Sequence, residues 1–261
     1  MSELLIIEPI QLNYEGPTPS LVLAAGVGST NLLTNDPREI WSDFDAGNYR
    51  FINIDFGKDI QFDTVFLGNT NASFGSSWRL SYGTSSEGSG LANYVFDGAL
   101  LPLPWADQPE SRVPALYVHH ELITARYVIV HVRQAEGQPL QIGRFIIGKA
   151  LRPFYNKERG AQRVPFDTGT RTRLSDGSLS TVAGALISGF KWVFGNLSEA
   201  EANALWGIVR RRRTTEPVLL IEDAENLSVE GTHYCTLIDL EGYLRDDPTK
   251  NRWALSVEDW L

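Results

Sequence analysis

The chain has 261 residues, of which 43% are hydrophobic and 21% charged, and its formal net charge at pH 7 is -9. These values are typical of one large or two ordinary globular domains and exclude a disordered chain. The negative charge disfavours nucleic acid as a partner, because phosphate binding needs clustered cations. A single cysteine, Cys235, excludes a domain held together by intrachain disulfides.

The N-terminal segment "MSELLIIEPIQL" has no basic residue, and Glu8 and Pro9 interrupt its apolar run. We therefore expect neither a signal peptide nor a membrane span in this segment. The expected product is a soluble protein made in the cytoplasm, with no membrane partner.

Residues 1–148 consist of short alternating runs separated by turn residues, a pattern typical of an all-β sandwich. In "INIDFG", Gly57 stands where the chain must turn, a position that favours positive φ. Asp55 is expected to accept hydrogen bonds from backbone amides of that turn. Trp78 is expected in the core, since it shares an alternating apolar face with Leu80 and Tyr82.

Six segments, taken in order, resemble the discoidin-like, or galactose-binding-like, jelly roll. They are "EIWSDFD" (39–45), "INIDFG" (52–57), "DTVFLGN" (63–69), "WRLSYGTS" (78–85), "ARYVIVHV" (125–132) and "IGRFIIG" (142–148). The long segment between Ser85 and Leu122 departs from the short members of that family. The resemblance implies a sandwich that packs Trp41 inside and binds ligands through the loops at one end.

Those loops correspond here to residues 43–50, 69–77 and 97–112. The candidate sugar-binding residues in them are Tyr49, Asn71, Phe74 and Trp105. Aromatic rings stack on the apolar faces of sugars, and amides bond sugar hydroxyls. The alternative is that these residues only cover the ends of the sandwich, which would then serve as a scaffold.

After a predicted linker at 149–169, residues 170–261 predict a second β domain, a sandwich or barrel with one flanking helix. A Ser-Asp-Gly-Ser turn marks a hairpin, and "GFKWVFG" places three aromatic rings on one face. The helix is predicted over 199–212, with Ser198 as N-cap and Glu201 completing a capping box.

Four arginines, Arg210, Arg211, Arg212 and Arg213, end the predicted helix. Cations there are favoured by the helix dipole, by about 0.3–1 kcal/mol each at low salt. The alternative is a contact with an acidic neighbouring subunit, which makes these four residues the candidate subunit interface.

Residues 150–261 resemble the ring-forming domains of phage minor and distal tail proteins, through "F.W.F..LS.AEA..L..I" followed by "PVL" and a final "W.L..E" strand. The resemblance implies a homo-oligomeric ring in a virion tail, assembled in the host cytoplasm. Its partners would be other tail proteins, with a host-surface glycan as a further partner. Distal tail proteins place the ring domain first, whereas the order here is reversed.

Catalysis finds little support in the sequence. No metalloprotease, zinc, phosphate-loop or serine-hydrolase motif is present, and no catalytic residue, metal or cofactor is predicted. His119 and His120 are expected to face opposite ways on a strand. Three interpretations remain: a tail-tip structural protein, a free carbohydrate-binding protein without enzymatic activity, and an enzyme with a binding module.

Overall fold

The computed structural model describes residues 4–23, 26–44, 49–71, 76–88, 93–99, 113–133, 139–155, 157–158, 160–225, 231–239, 242–247 and 250–260. Within these ranges the chain is mainly β with one α-helix, and it divides into two compact units. Residues 7–150 form the N-terminal unit. Residues 151–261, joined by the segment that ends at Ile6, form the C-terminal unit.

The N-terminal unit is built from strands and one 3₁₀-helix, Ser29–Leu33. In chain order the described strands are β1 (Leu5–Pro9), β2 (Asn13–Tyr14), β3 (Ser20–Leu23), β4 (Trp41–Asp43), β5 (Tyr49–Thr70), β6 (Ser77–Gly83), β7 (Asn93–Ala99), β8 (Val113–Arg133), β9 (Leu140–Ile142) and β10 (Arg144–Leu151).

Strands β5 and β8 are long and pair antiparallel. Register shifts divide each of them into two parts, and each part belongs to a different layer. The first part of β5 lies between β3 and the second part of β8, which also pairs with β6. The second part of β5 lies between β10 and the first part of β8. This pairing produces the predicted jelly-roll sandwich.

The turn inside β5 has the predicted chemistry. Gly57 has a φ of 76°, and its backbone N–H donates to Asp55 Oδ1 at 2.7 Å. Arg126 holds the same carboxylate from β8, with Nε 2.8 Å from Oδ1. The two strands expected on either side of Gly57 are one continuous bent strand, because pairing with β8 resumes after the register shift. Trp41 and Trp78 are buried in the core, as predicted.

The C-terminal unit combines strands with the helix α1 (Glu199–Arg212). Its described strands are β11 (Gln162–Asp167), β12 (Thr170–Arg173), β13 (Leu179–Val182), β14 (Leu186–Leu197), β15 (Val218–Ile221), β16 (Thr232–Asp239), β17 (Leu244–Asp247) and β18 (Lys250–Asp259).

Antiparallel pairing orders five of these strands as β11-β14-β18-β16-β15. One face of this sheet buries Trp192, Phe194 and Trp253 together with Leu205 and Val209 of α1. The helix starts at the predicted N-cap: Glu201 N–H donates to Ser198 Oγ at 3.3 Å, and Ser198 N–H donates to Glu201 Oε2 at 2.8 Å.

Two details differ from the sequence expectation. The segment 149–169 is not all linker, since it holds the end of β10 and the whole of β11. Pro165 argued against a strand in the sequence, but proline is tolerated in an edge strand, and among the described residues β11 pairs only with β14. Leu4 and Ile6 pack in the core of the C-terminal unit. Their apolar run indicates burial without indicating which core they join.

Among the described residues, no helix has both the length and the apolar character needed to cross a membrane.

Candidate functional site

Of the predicted sugar-binding residues, only Asn71 has a described side chain. Its amide nitrogen donates to the Pro139 carbonyl at 2.7 Å, and its Oδ1 accepts from the Gln141 backbone N–H at 2.8 Å. Asn71 therefore braces the 139–141 segment with both ends of its amide. Tyr49 pairs with Arg133 in β5, but its side chain lies outside the described part of the chain.

Phe74 and Trp105 lie entirely outside the described residues. A sugar site in the loops 43–50, 69–77 and 97–112 therefore stays a prediction.

The four arginines at the end of α1 differ in their exposure. Arg212 is buried and donates from Nη1 to Glu216 Oε2 at 2.8 Å, so it is unavailable to a neighbouring subunit. The helix turns it inward because it follows Val209 by three residues on the packed face. Arg210, Arg211 and Arg213 are exposed, and their part in an interface stays a prediction.

The adjacent histidines do not face opposite ways, and that expectation was wrong. The ring centroids of His119 and His120 are 4.5 Å apart. The pairing of β8 with β5 skips from Val118 to Ile123, so strand alternation is interrupted at the histidines. Among the described residues, no group of three or more His, Cys, Asp or Glu side chains is placed to hold a metal ion.

A charged network, which sequence analysis missed, surrounds the buried side chain of His233 on β16. Its Nε2 lies 3.0 Å from Glu222 Oε1, and its Nδ1 lies 3.4 Å from Asp259 Oδ1. Lys157 forms an ion pair with Glu222, and the ring centroid of His233 is 4.0 Å from that of Phe190. The only sequence signal is a histidine at an inward-facing position of "THYCTLID". The network ties β16 to β18 and to the end of β15.

The hairpin formed by β12 and β13 is fully exposed, and we call it the ribbon (residues 170–182). Its strands pair with each other in the register Thr170↔Val182 to Arg173↔Leu179, and every residue of both strands is exposed. At its base, Thr168 N–H donates to the Ala185 carbonyl at 3.0 Å, which makes the ribbon an extension of the β11–β14 pair.

At the base of the ribbon, Gly184 occupies a position with no room for a larger side chain. A Cβ on Gly184 would lie 2.2 Å from the Gly169 backbone nitrogen. At the tip, Gly177 has a φ of 84° and Asp176 Oδ1 accepts from the Ser178 backbone N–H at 2.9 Å. The hairpin signal in the sequence thus corresponds to an ordered ribbon.

A second surface lies on the jelly roll, on the side of the β3–β5–β8–β6 layer that faces away from the core. We call it the outer face. Its residues alternate along their strands with buried core residues and are Ser20, Val22, Phe51, Asn53, Asp55, Arg79, Tyr127, Ile129 and His131. Ser81 also lies on this side of the sheet but is buried, with its hydroxyl 3.3 Å from His131 Nε2. A shallow cleft of about 250 Å³ on it is bordered by side chains of β3, β5 and β8.

No protein-family model matches the sequence, and no curated protein matches it. Solved structures with a similar fold include a chitosan-binding module from a Paenibacillus chitosanase/glucanase, with 16% identity and a TM-score of 0.40, covering 54% of this chain and 98% of that chain. The family 32 carbohydrate-binding module of C. perfringens NanJ, solved with galactose, has 10% identity and a TM-score of 0.39, covering 49% and 91%.

A Ruminococcus gnavus GH29 fucosidase, solved with fucose, has 17% identity and a TM-score of 0.38. This chain covers 25% of the fucosidase, and half of this chain is matched. These likenesses concern part of the fold alone.

Proposed function

We propose that this chain is a structural component of a bacteriophage tail tip, in which the C-terminal unit associates with copies of itself in a ring. The observation that carries the proposal is the ribbon. A two-stranded hairpin is marginally stable in water unless another element packs on it. Within the described residues, β12 and β13 pair only with each other, so both outer edges of the ribbon are open to a partner.

The ribbon also displays apolar side chains. Leu174, Leu179 and Val182 are 49%, 54% and 65% exposed. Burying them against another surface is favourable by roughly 25 cal/mol for each Å² of apolar area removed from water. An ordered ribbon with open edges and exposed apolar residues has the features of an association element.

Comparing the charge of the ribbon with that of the whole chain favours a second copy of this chain as the partner. The ribbon holds two arginines, Arg171 and Arg173, and one aspartate, whereas the whole chain has a net charge of -9. A locally basic element complements the acidic surface of another copy. Contact between an element of one copy and a different surface of the next is head-to-tail, the geometry that closes into rings.

The association test compares two variants by sedimentation velocity at several concentrations. Wild type is expected to form a closed oligomer. The double variant Leu179→Ser/Val182→Ser loses apolar contact area. Its oligomer should therefore dissociate at a protein concentration roughly tenfold or more above that of wild type. Leu244→Ser is the matched control, because Leu244 is 64% exposed outside the ribbon. A monomeric wild type, or a double variant that assembles normally, contradicts the proposal.

The tail assignment needs a separate measurement. Mass spectrometry of purified tailed virions should detect the chain, and an antibody against it should label the tail tip. Absence of the chain from such virions would overturn the assignment even if the isolated protein forms rings.

A free carbohydrate-binding protein without enzymatic activity is the second candidate. The outer face favours it, because that surface combines aromatic rings with amide and hydroxyl groups. A wild-type monomer that binds glycans would support this candidate over the tail protein.

A further inference from the structure

The strand register arranges the outer face in three rows across the sheet. Ser20, Asp55 and Tyr127 lie side by side in the first row. The second row holds Val22, Asn53, Ile129 and Ser81, and the third holds Phe51, His131 and Arg79. From residue 51 to residue 55 the face extends roughly 13 Å, at about 3.3 Å per residue. This length matches two to three linked sugar rings.

The first two rows offer hydrogen-bonding groups to solvent. Within the described part of the chain, the Ser20 hydroxyl, the Asn53 amide and the Tyr127 hydroxyl bond to no protein group. They present donors and acceptors at neighbouring positions on three strands, all bordering the same cleft. An amide and hydroxyls together can bond the alternating donors and acceptors of a sugar.

Two aromatic rings on the face are held in place. Phe51 is 37% exposed, and its ring packs edge-on against His131 with centroids 5.0 Å apart. The guanidinium of Arg126 lies 4.8 Å from the centroid of Tyr127. Rings fixed in this way lose little conformational entropy when a ligand packs on them.

The charges on the face are already paired or lie at its edge. Asp55 accepts from Arg126 Nε at 2.8 Å and Nη2 at 3.2 Å, so this carboxylate is neutralised within the chain. Burial, and then the charge of Arg79, lower the pKa of His131, which keeps the ring uncharged at neutral pH. The surface between these groups therefore favours an uncharged ligand.

The face is also closed to peptides that add a strand. Each of its strands pairs with a neighbour on both sides: β3 with β2 and β5, β5 with β3 and β8, β8 with β5 and β6, and β6 with β8 and β7. Recognition on the outer face must therefore use side chains, since no backbone edge is open there.

We infer that the outer face is a binding site for a neutral oligosaccharide, with a sugar ring on Phe51 and hydroxyls bonded by Asn53, Ser20 and Tyr127. The site lies on the sheet and not in the end loops that the sequence indicated. The inference does not depend on ring formation and holds for either candidate function.

The test begins with the full-length protein on an immobilised array of neutral and acidic glycans, followed by calorimetric titration with the best neutral trisaccharide. Phe51→Ala and Asn53→Ala are each expected to weaken binding about tenfold, the usual scale for a central contact. Asn53→Ala keeps the test decisive if Phe51→Ala fails to fold, because Asn53 is a half-exposed polar residue.

Phe44→Ala is the matched control, since Phe44 is 71% exposed and lies in the end loop 43–50. It should bind like wild type. Loss of binding in Phe44→Ala with normal binding in Asn53→Ala would move the site to the loops and overturn the inference. Binding to acidic glycans only, or to no neutral glycan, would also overturn it. The ribbon variant should bind sugar normally, so failure of assembly and failure of this site are distinguishable.

Discussion

His233 lies in the core of the C-terminal unit between two carboxylates. Burial by itself lowers the pKa of the imidazole, but its ion pair with Asp259 and its hydrogen bond with Glu222 outweigh that effect and raise the pKa. The bond with His233, and then the one with Lys157, overcome burial and lower the pKa of Glu222 to about 2. The charged pair is therefore favoured in the folded chain relative to the unfolded chain.

The sign of the pH dependence follows from these directions. A raised histidine pKa stabilises the fold below the ordinary value of 6.5, and the contribution is lost as pH rises through the folded pKa. The contribution of Glu222 is present above its ordinary value of 4.5 and is lost as pH falls toward about 2. Stability from this network is greatest between these two ordinary values.

We expect the melting temperature of the C-terminal unit to fall by a few degrees as pH rises above the ordinary histidine value of 6.5 and His233 loses its proton. Calorimetry of His233→Gln should show a flatter dependence above that pH. His120→Gln is the control, because the His120 side chain is 80% exposed. An unchanged slope in His233→Gln would assign the pH dependence to other groups.

At the scale of elements, helix α1 depends on its first turn. Ser198 and Glu201 satisfy each other's backbone N–H groups, and Glu201 Oε1 also accepts from the Phe154 backbone N–H at 2.6 Å. The carboxylate thus holds both the helix start and the chain that follows β10.

Ser198→Ala should lower the free energy of unfolding of the C-terminal unit by about 1 kcal/mol, since the cap acceptor is removed. Ser198→Thr keeps both the acceptor and the hydroxyl that donates to Glu201 Oε2 at 2.5 Å, and it should stay within a few tenths of wild type. Urea denaturation followed by tryptophan fluorescence measures both, because Trp192 and Trp253 lie in the core against which α1 packs. Equal loss in the two variants would show that the cap oxygen is not the cause.

Elements defined by local chemistry could be predicted from the sequence. The capping box specified α1, and the Asp55–Gly57 turn specified the bend in β5, because each depends on residues two or three positions apart. Register shifts depend on the partner strand. The contact between the rings of His119 and His120 could therefore not be predicted from the alternation of apolar and polar residues. The outer face was missed for the same reason, since its rows join three or four strands that are distant in sequence.

At the scale of the whole molecule, net charge separates two modes of assembly. Copies with a charge of -9 repel one another, and salt screens that repulsion, with a Debye length of about 10 Å at 0.1 M. If the apolar side chains of the ribbon, Leu174, Leu179 and Val182, dominate the contact, raising salt from about 0.05 M to about 0.3 M should leave association unchanged or strengthen it.

Sedimentation velocity across that salt range measures the effect. Weakening with salt would instead indicate a contact dominated by charge, made by Arg171 and Arg173 of the ribbon or by the predicted interface residues Arg210, Arg211 and Arg213. The ribbon variant distinguishes the two modes further, because it leaves those arginines intact.

Because Cys235 is buried, its reactivity reports on local opening of the sheet in the C-terminal unit. The thiol is fully buried in β16, with Sγ 3.8 Å from the Val218 carbonyl oxygen, and burial raises its pKa well above the ordinary range. It is also the chain's one cysteine. A thiol reagent can therefore react only when β16 separates from β15. The rate of labelling measures how often this local opening occurs, without any engineered probe. Comparing the labelling rates of the free and the assembled protein would show how much association slows the opening of the sheet.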